Sequence, residues 1–185
     1  MEWFLKAANQ GLAPSQYNIG ILYNKGKGVP REYQKAEEWW RKAADQGHAA
    51  AQYNIGMLYH KGRCGSQNFQ RAAEWYLKAA NQGHAPSQYN IGALYNDGKG
   101  VPQNHQRAME WYLKAAHQGN ADAQYSIGDL YDSGEGVLPD HQKAMEWWRK
   151  AAEQRSAQAQ KQLETFSRGS GLGDLWRIMG LAPKK

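Results

Sequence analysis

A five-residue sequence, Gln-Tyr-Asn-Ile-Gly, recurs in this chain with a fixed period of 36 residues. It starts at Gln16, Gln52 and Gln88, and it returns as Gln-Tyr-Ser-Ile-Gly at Gln124. A constant period of this length is typical of repeat proteins, in which stacked units share one continuous core. The sequence therefore predicts a repeat architecture rather than one or two ordinary globular domains.

Each repeat contains two segments with the apolar spacing of a helix. Ala51–Tyr59 has apolar residues at i, i+4, i+7 and i+8, and we call this segment helix A. Ala36–Ala44 has them at i, i+3, i+4, i+7 and i+8, and we call it helix B. The glycine inside helix A costs about 1 kcal/mol relative to alanine, so we expect a neighbouring helix to approach it closely. The prediction is an all-α solenoid of helix-turn-helix repeats.

The repeat period also divides the chain into segments. Ser156–Phe166 keeps the apolar stripe but replaces the tyrosine, asparagine and glycine of helix A, as expected of a capping helix. After it the composition becomes glycine-rich, as in a flexible linker. We predict a solenoid over 1–167 and a linker with a short apolar and basic tail over 168–185, the solenoid comprising a half repeat (1–11), four repeats (12–155) and the capping helix (156–166).

Composition narrows the classes of function. The net charge is +6 without a block of five like charges, so we expect a solvated surface and no nucleic-acid partner. No apolar run is long enough to span a bilayer, and residues 1–6 do not resemble a signal peptide.

The chain starts in mid-repeat, which suggests a piece of something longer. The single cysteine, Cys64, excludes an intrachain disulfide and favours the cytoplasm, although the compartment stays open.

No residue pattern indicates catalysis. The six histidines lack the spacing of zinc sites, and the Gly-Lys-Gly loops lack the remainder of a phosphate-binding loop. We therefore expect no enzyme activity, no metal and no cofactor. Cys64 replaces a glycine of the other loops; a tolerated substitution is the simpler interpretation, and a reactive or regulatory thiol is the alternative.

The repeated unit Ala-x-x-Trp-Trp/Tyr-x-Lys-Ala-Ala-x-Gln-Gly-x-Ala-x-x-Gln-Tyr-Asn-Ile-Gly-x-Leu-Tyr-x-x-Gly-x-Gly-Val-Pro closely resembles the Sel1-like repeat, over about residues 1–166. This family is related to the tetratricopeptide repeat. The resemblance implies a right-handed αα superhelix with helix A on the concave side, and a role as an interaction scaffold or adaptor. Alternatives are a regulatory subunit that activates a partner enzyme, and the β-lactam-linked branch, whose paired cysteines this chain lacks.

We expect a peptide or partner protein to bind along the outward side of helix A. An asparagine amide offers both a donor and an acceptor to a bare peptide backbone, and tyrosine offers flat apolar area with a hydroxyl. The alternative is that these tyrosines and asparagines join neighbouring helices. The candidate residues are Tyr17, Asn18, Ile21, Lys25, Tyr53, Asn54, Met57, His60, Lys61, Tyr89, Asn90, Asp97, Tyr125, Asp129 and Asp132.

Charge varies along these positions, from Lys25 and Lys61 to Asp97 and Asp132, which predicts a polarised groove. The tail suggests a second hypothesis, a tethered ligand for that groove, carried by Leu175, Trp176, Ile178 and Met179. A disordered or end-capping tail is the alternative. The uncapped apolar segment 3–5, or the tail, would also allow oligomerisation.

Overall fold

The computed structural model describes residues 2–154 and 156–169, with side chains for 6–154 and 156–166. Within this part of the chain there are helices and no strand, which confirms the predicted all-α repeat fold. The helices are α1 (Glu2–Asn9), α2 (Ala13–Lys25), α3 (Tyr33–Asp45), α4 (Ala49–Lys61), α5 (Phe69–Asn81), α6 (Ala85–Asp97), α7 (His105–His117), α8 (Ala121–Ser133), α9 (His141–Glu153) and α10 (Ala157–Gly169).

The chain divides into two compact units, and each repeat supplies a helix A followed by a helix B. The first unit, Met1–Asn104, contains the helix B of the half repeat (α1), two complete helix pairs (α2 with α3, α4 with α5) and the helix A of the third repeat (α6). The second unit, His105–Lys185, contains the helix B of the third repeat (α7), the fourth pair (α8 with α9) and α10.

Helix A ends in the same way in every repeat. Gly26, Gly62, Gly98 and Gly134 follow the last helical residue with positive φ values of 67°, 63°, 67° and 76°. Glycine reaches this left-handed conformation without the steric cost of a Cβ atom. Each of these amides turns back to a leucine carbonyl of its own helix, so the chain leaves helix A at a fixed angle before helix B begins.

The glycine inside helix A marks the contact between helix A and helix B of one repeat. A Cβ atom added to Gly56 would lie 2.6 Å from the Tyr76 ring, and one added to Gly128 would overlap the Trp148 ring. The close approach expected from the sequence is therefore made by an aromatic side chain. Both rings are fully buried. They can pack at this position only because the glycine of helix A has no side chain to occupy it.

The last helix is longer than the predicted capping helix 156–166, because α10 continues to Gly169. The assigned linker therefore begins with helical residues. No proline interrupts residues 167–169, and arginine at position 168 is a good helix former. Ala159 and Leu163 are buried against Trp148, as the predicted core stripe requires.

Candidate functional site

The predicted binding residues lie outside the buried core of helix A. The buried residues are chiefly the glutamine, isoleucine and glycine of the repeated pentapeptide. Of the predicted residues, the charged side chains Lys25, Lys61 and Asp97 are exposed. The others are half-buried, namely Tyr17, Asn18, Ile21, Tyr53, Asn54, Met57, His60, Tyr89, Asn90, Tyr125, Asp129 and Asp132.

Two of the predicted tyrosines, Tyr17 and Tyr53, contact the histidine that precedes the next helix A. The Tyr17 ring stacks on His48 with a centroid distance of 4.6 Å, and Tyr53 lies 5.1 Å from His84. His48 Nδ1 also accepts a hydrogen bond from the Ala51 amide, which fixes the imidazole. These rings therefore join neighbouring repeats, as the alternative interpretation of the tyrosines requires.

The asparagines differ from one another. Asn90 is used inside the first unit, where its Nδ2 donates to Met57 Sδ at 3.7 Å and also faces the Tyr53 hydroxyl. Asn18 and Asn54 make no side-chain hydrogen bond to any residue that the structure describes. Two half-buried amides at equivalent positions of consecutive repeats are therefore available to a partner.

The predicted charges also differ in what surrounds them. Lys25 and Lys61 are exposed at the C-terminal ends of α2 and α4. Asp97 pairs with Lys99 at 2.8 Å, and Asp132 pairs with His141 Nδ1 at 2.8 Å. The cations face solvent while the two carboxylates have partners on their own unit, and the polarised groove stays a prediction.

In the first unit we define the repeat-two cluster as Tyr53, Met57, His60, Tyr76 and Asn90. The Tyr76 ring centroid lies 5.9 Å from that of Tyr53 and 6.1 Å from that of His60. Tyr76 is fully buried, and neither its hydroxyl nor His60 Nδ1 makes a hydrogen bond of good geometry to a described residue. Burial raises the pKa of Tyr76 and lowers the pKa of His60, so both groups are neutral at neutral pH.

In the second unit we define the repeat-four cluster as Tyr125, Asp129 and Trp148. Trp148 Nε1 donates to Asp129 Oδ1 at 3.0 Å, and the Tyr125 hydroxyl donates to the same carboxylate. Burial raises the pKa of Asp129, whereas the two hydrogen bonds oppose that rise. Asp129 occupies the position of Met57, directly after the helical glycine, so this carboxylate supplies the acceptor that the repeat-two cluster lacks.

A family model named Sel1 repeat matches residues 1–12, 13–48, 49–84, 85–120 and 121–156. The chain belongs to the Sel1 repeat family. These bounds agree with the helix pairs of the structure, since the second to fifth matches begin at the first residues of the four A helices, α2, α4, α6 and α8. Among the curated proteins, none matches this chain.

Solved structures of Sel1 repeat proteins are similar to this chain. A protective antigen of uropathogenic Escherichia coli, c5321, is 37% identical with a TM-score of 0.87 over 91% of this chain and 36% of its own. A Sel1 repeat protein from Oxalobacter formigenes is 40% identical with a TM-score of 0.77, over 82% and 62% of the two chains. The immunity protein Pa5087 from Pseudomonas aeruginosa is 25% identical with a TM-score of 0.57, over 86% and 59%.

This chain thus spans between about a third and two thirds of the length of these three structures. Sel1 repeat proteins commonly act as scaffolds that bind protein partners, and such scaffolds are generally not enzymes.

No group of three potential metal ligands occurs among the described residues. None of the helices in the described ranges has the length and apolar character needed to cross a membrane.

Each complete Sel1 repeat also contains a buried glutamine that the sequence interpretation did not select. Gln52 Nε2 donates to the Ala44 carbonyl at 3.1 Å, and Gln82 Nε2 donates to Gln52 Oε1 at 2.7 Å. Gln124 and Gln154 form the same relay in the second unit, at 3.3 and 2.8 Å. The sequence contained a clue, because both glutamines recur with the period of the repeat. Recurrence alone, however, does not indicate that a polar residue beside an apolar stripe is buried.

The loop cysteine of the second Sel1 repeat lies against a half-buried carboxylate. Glu37 accepts hydrogen bonds from the Tyr59 hydroxyl at 2.7 Å and from Arg41 Nη2 at 2.6 Å. Burial, followed by the hydrogen bond to Glu37, raises the pKa of the Cys64 thiol to about 12. A thiol with so high a pKa holds little reactive thiolate at neutral pH, which favours the interpretation of a tolerated substitution.

Two predictions fall outside the described residues of this Sel1 repeat chain. The tethered-ligand segment with Leu175, Trp176, Ile178 and Met179 lies beyond Gly169, the last residue described. The side chains of residues 3–5, proposed for oligomerisation, are also outside the described set. Both stay predictions.

Proposed function

We propose that this chain is a non-enzymatic interaction scaffold whose first unit binds an extended peptide, or an extended segment of a partner protein, along α2 and α4. The observation that carries the proposal is the pair of half-buried amides of Asn18 and Asn54, which make no internal hydrogen bond in the described structure. Asn90 serves as an internal contrast, because its amide is already engaged by Met57.

The chemistry of this surface suits a polypeptide. An extended segment carries one N–H and one C=O per residue that need partners once water is removed. The amides of Asn18 and Asn54 each present a donor and an acceptor, one repeat apart. Ile21 and Met57 are half-buried neighbours that supply apolar contact, and the exposed Lys25 and Lys61 favour acidic side chains on the peptide.

Selection from a random-peptide display library on the whole chain tests the proposal, followed by measurement of Kd for the enriched peptides by fluorescence anisotropy. The double variant Asn18→Ala with Asn54→Ala is expected to weaken binding about 10- to 100-fold, since each lost hydrogen bond costs about 0.5 to 1.5 kcal/mol. The matched control is Gln34→Ala with Gln70→Ala, which removes two exposed amides at equivalent positions of α3 and α5.

Equal affinity of the asparagine variant, the control and the original chain would place the binding surface elsewhere. A second variant, Lys25→Glu with Lys61→Glu, tests the charge preference. It is expected to weaken peptides that contain acidic residues, with a loss that shrinks as salt is added. A loss that is independent of salt would show that the lysines act by packing rather than by charge.

A further inference from the structure

We propose that the repeat-two cluster is a recognition site for a carboxylate, carried by a side chain or by the C-terminus of the bound peptide. This inference rests on the proposed function, because it assigns a specific subsite to the same helix A surface. The carboxylate would lie between the hydroxyls of Tyr53 and Tyr76, at the place that the Met57 side chain covers.

The repeat-four cluster shows what such a site holds when it is filled from within the chain. There the carboxylate of Asp129 accepts from Trp148 Nε1 and from the Tyr125 hydroxyl. Tyr125 corresponds to Tyr53, Trp148 to Tyr76 and Asp129 to Met57, so the second repeat keeps two aromatic donors and replaces the acceptor with a thioether. Equivalent positions of the repeat thus hold two donors with a carboxylate in the second unit, and two donors with a thioether in the first.

The Tyr76 hydroxyl is the strongest sign that an acceptor is missing. It is fully buried, and its proton has no acceptor among the described residues. The Asn90 amide does not serve, because its Nδ2 donates to Met57 Sδ and no hydrogen bond of good geometry joins its oxygen to the Tyr76 hydroxyl. A buried donor without a partner costs about 1 to 3 kcal/mol, which a ligand oxygen would recover.

The charges around the cluster favour an anion. Lys61 and Lys99 both act electrostatically on His60, and the carboxylate that also acts on it, Asp97, is paired with Lys99 at 2.8 Å. Neither Tyr53 nor Tyr76 has a carboxylate among the groups that shift its pKa. The charges of Asp97 and Lys99 offset each other in their ion pair, so an incoming carboxylate would meet the tyrosine donors and one further cation, Lys61.

Access to the Tyr76 hydroxyl requires movement of one side chain. Met57 is half-buried, unbranched and held at Asn90 by a weak N–H···S contact of 3.7 Å. Methionine changes rotamer readily because its thioether has low torsional barriers. Rotation of Met57 toward solvent would open the space that the Asp129 carboxylate fills in the second unit.

Acetate is the probe for a test, with the full chain labelled with ¹³C in its tyrosine rings and followed by NMR. Acetate is titrated against sodium chloride at equal ionic strength. The original chain and Met57→Leu are expected to show saturable shifts of the Tyr53 and Tyr76 ring signals. Tyr76→Phe, which removes the donor, and Met57→Asp, which fills the site from within, are expected to weaken that response about tenfold or more.

Shifts that are identical in acetate and chloride, or equal in the original chain and Tyr76→Phe, would overturn the inference and leave at most a buried water at this position. If Met57→Asp does not fold, as judged by circular dichroism, Tyr76→Phe still decides. The test contains no peptide, so a negative result here with a positive result for Asn18 and Asn54 refutes the subsite alone. The reverse pattern would show a site that binds carboxylates, but it would overturn the claim that a peptide bound along α2 and α4 supplies the carboxylate.

Discussion

The repeat-two and repeat-four clusters are built on the same backbone and differ in one decisive residue. In both, a helical glycine lets an aromatic ring of helix B pack against helix A, through Tyr76 at Gly56 and Trp148 at Gly128. In the second unit the residue after the glycine is Asp129, and it accepts from the indole. In the first unit it is Met57, and the phenol has no acceptor. The repeat thus fixes the packing, while single positions decide whether the buried polar groups are satisfied.

The largest difference is expected when the indole donor is removed. Trp148→Phe should lower the free energy of unfolding by about 2 to 4 kcal/mol, because it leaves space in the core and deprives a half-buried carboxylate of its hydrogen bond. Urea unfolding followed by circular dichroism measures the effect. A loss in the free energy of unfolding of less than about 0.5 kcal/mol, which is typical of surface substitutions, would show that the hydrogen bond from Trp148 to Asp129 does not stabilise the fold.

The next effect tests what the two clusters share. Gly56→Ala and Gly128→Ala should each destabilise the chain by about 1 to 3 kcal/mol, because the new methyl group meets a buried aromatic ring. In an exposed helix Gly→Ala would instead stabilise the chain by about 1 kcal/mol, so a loss here reports the contact with the ring. Asn54→Ala is the control, because it places alanine in the same helix and adds no atom to that contact. A neutral result at only one glycine would mean that the two contacts are not equivalent.

A smaller effect concerns pH. Burial raises the pKa of Asp129, so its ionised form costs stability, and this cost disappears as pH falls through the folded-state pKa. The original chain should therefore gain free energy of unfolding relative to Asp129→Asn on acidification from neutral pH. Parallel urea titrations of both proteins at several pH values measure the difference. A difference that is constant with pH would show that Asp129 titrates normally.

The smallest effect is expected at the unsatisfied phenol. Tyr76→Phe should leave the free energy of unfolding unchanged or raise it by about 1 kcal/mol, since it removes a buried hydroxyl whose proton has no acceptor. The same urea experiment as for Trp148→Phe provides the comparison. A loss of more than about 1 kcal/mol would reveal a hydrogen bond at that hydroxyl.

The sequence predicted the repeat, the two helices of each repeat and the close helix contact at the glycine, because apolar spacing and period are properties of the sequence alone. It could not separate Asn18 and Asn54 from Asn90, since these residues occupy the same position of the repeat. Their difference depends on the neighbouring repeat, where Met57 engages Asn90. The burial of Gln52 was missed for a similar reason, because its partners, the Ala44 carbonyl and Gln82, come from helices on either side of it in the sequence.

The glutamine relay has a consequence for how the chain unfolds. Gln82, the C-cap of α5, donates to Gln52 of α4, and Gln52 donates to the carbonyl of Ala44 in α3, so one amide joins the three segments. Loss of either flanking helix would strand a buried amide group in a medium that cannot solvate it. The relay therefore opposes local unfolding of α3, α4 or α5 on its own. In a one-dimensional Ising description of a repeat protein, these amides strengthen the interface term between neighbouring repeats. Unfolding then becomes more cooperative, although no isolated repeat becomes more stable.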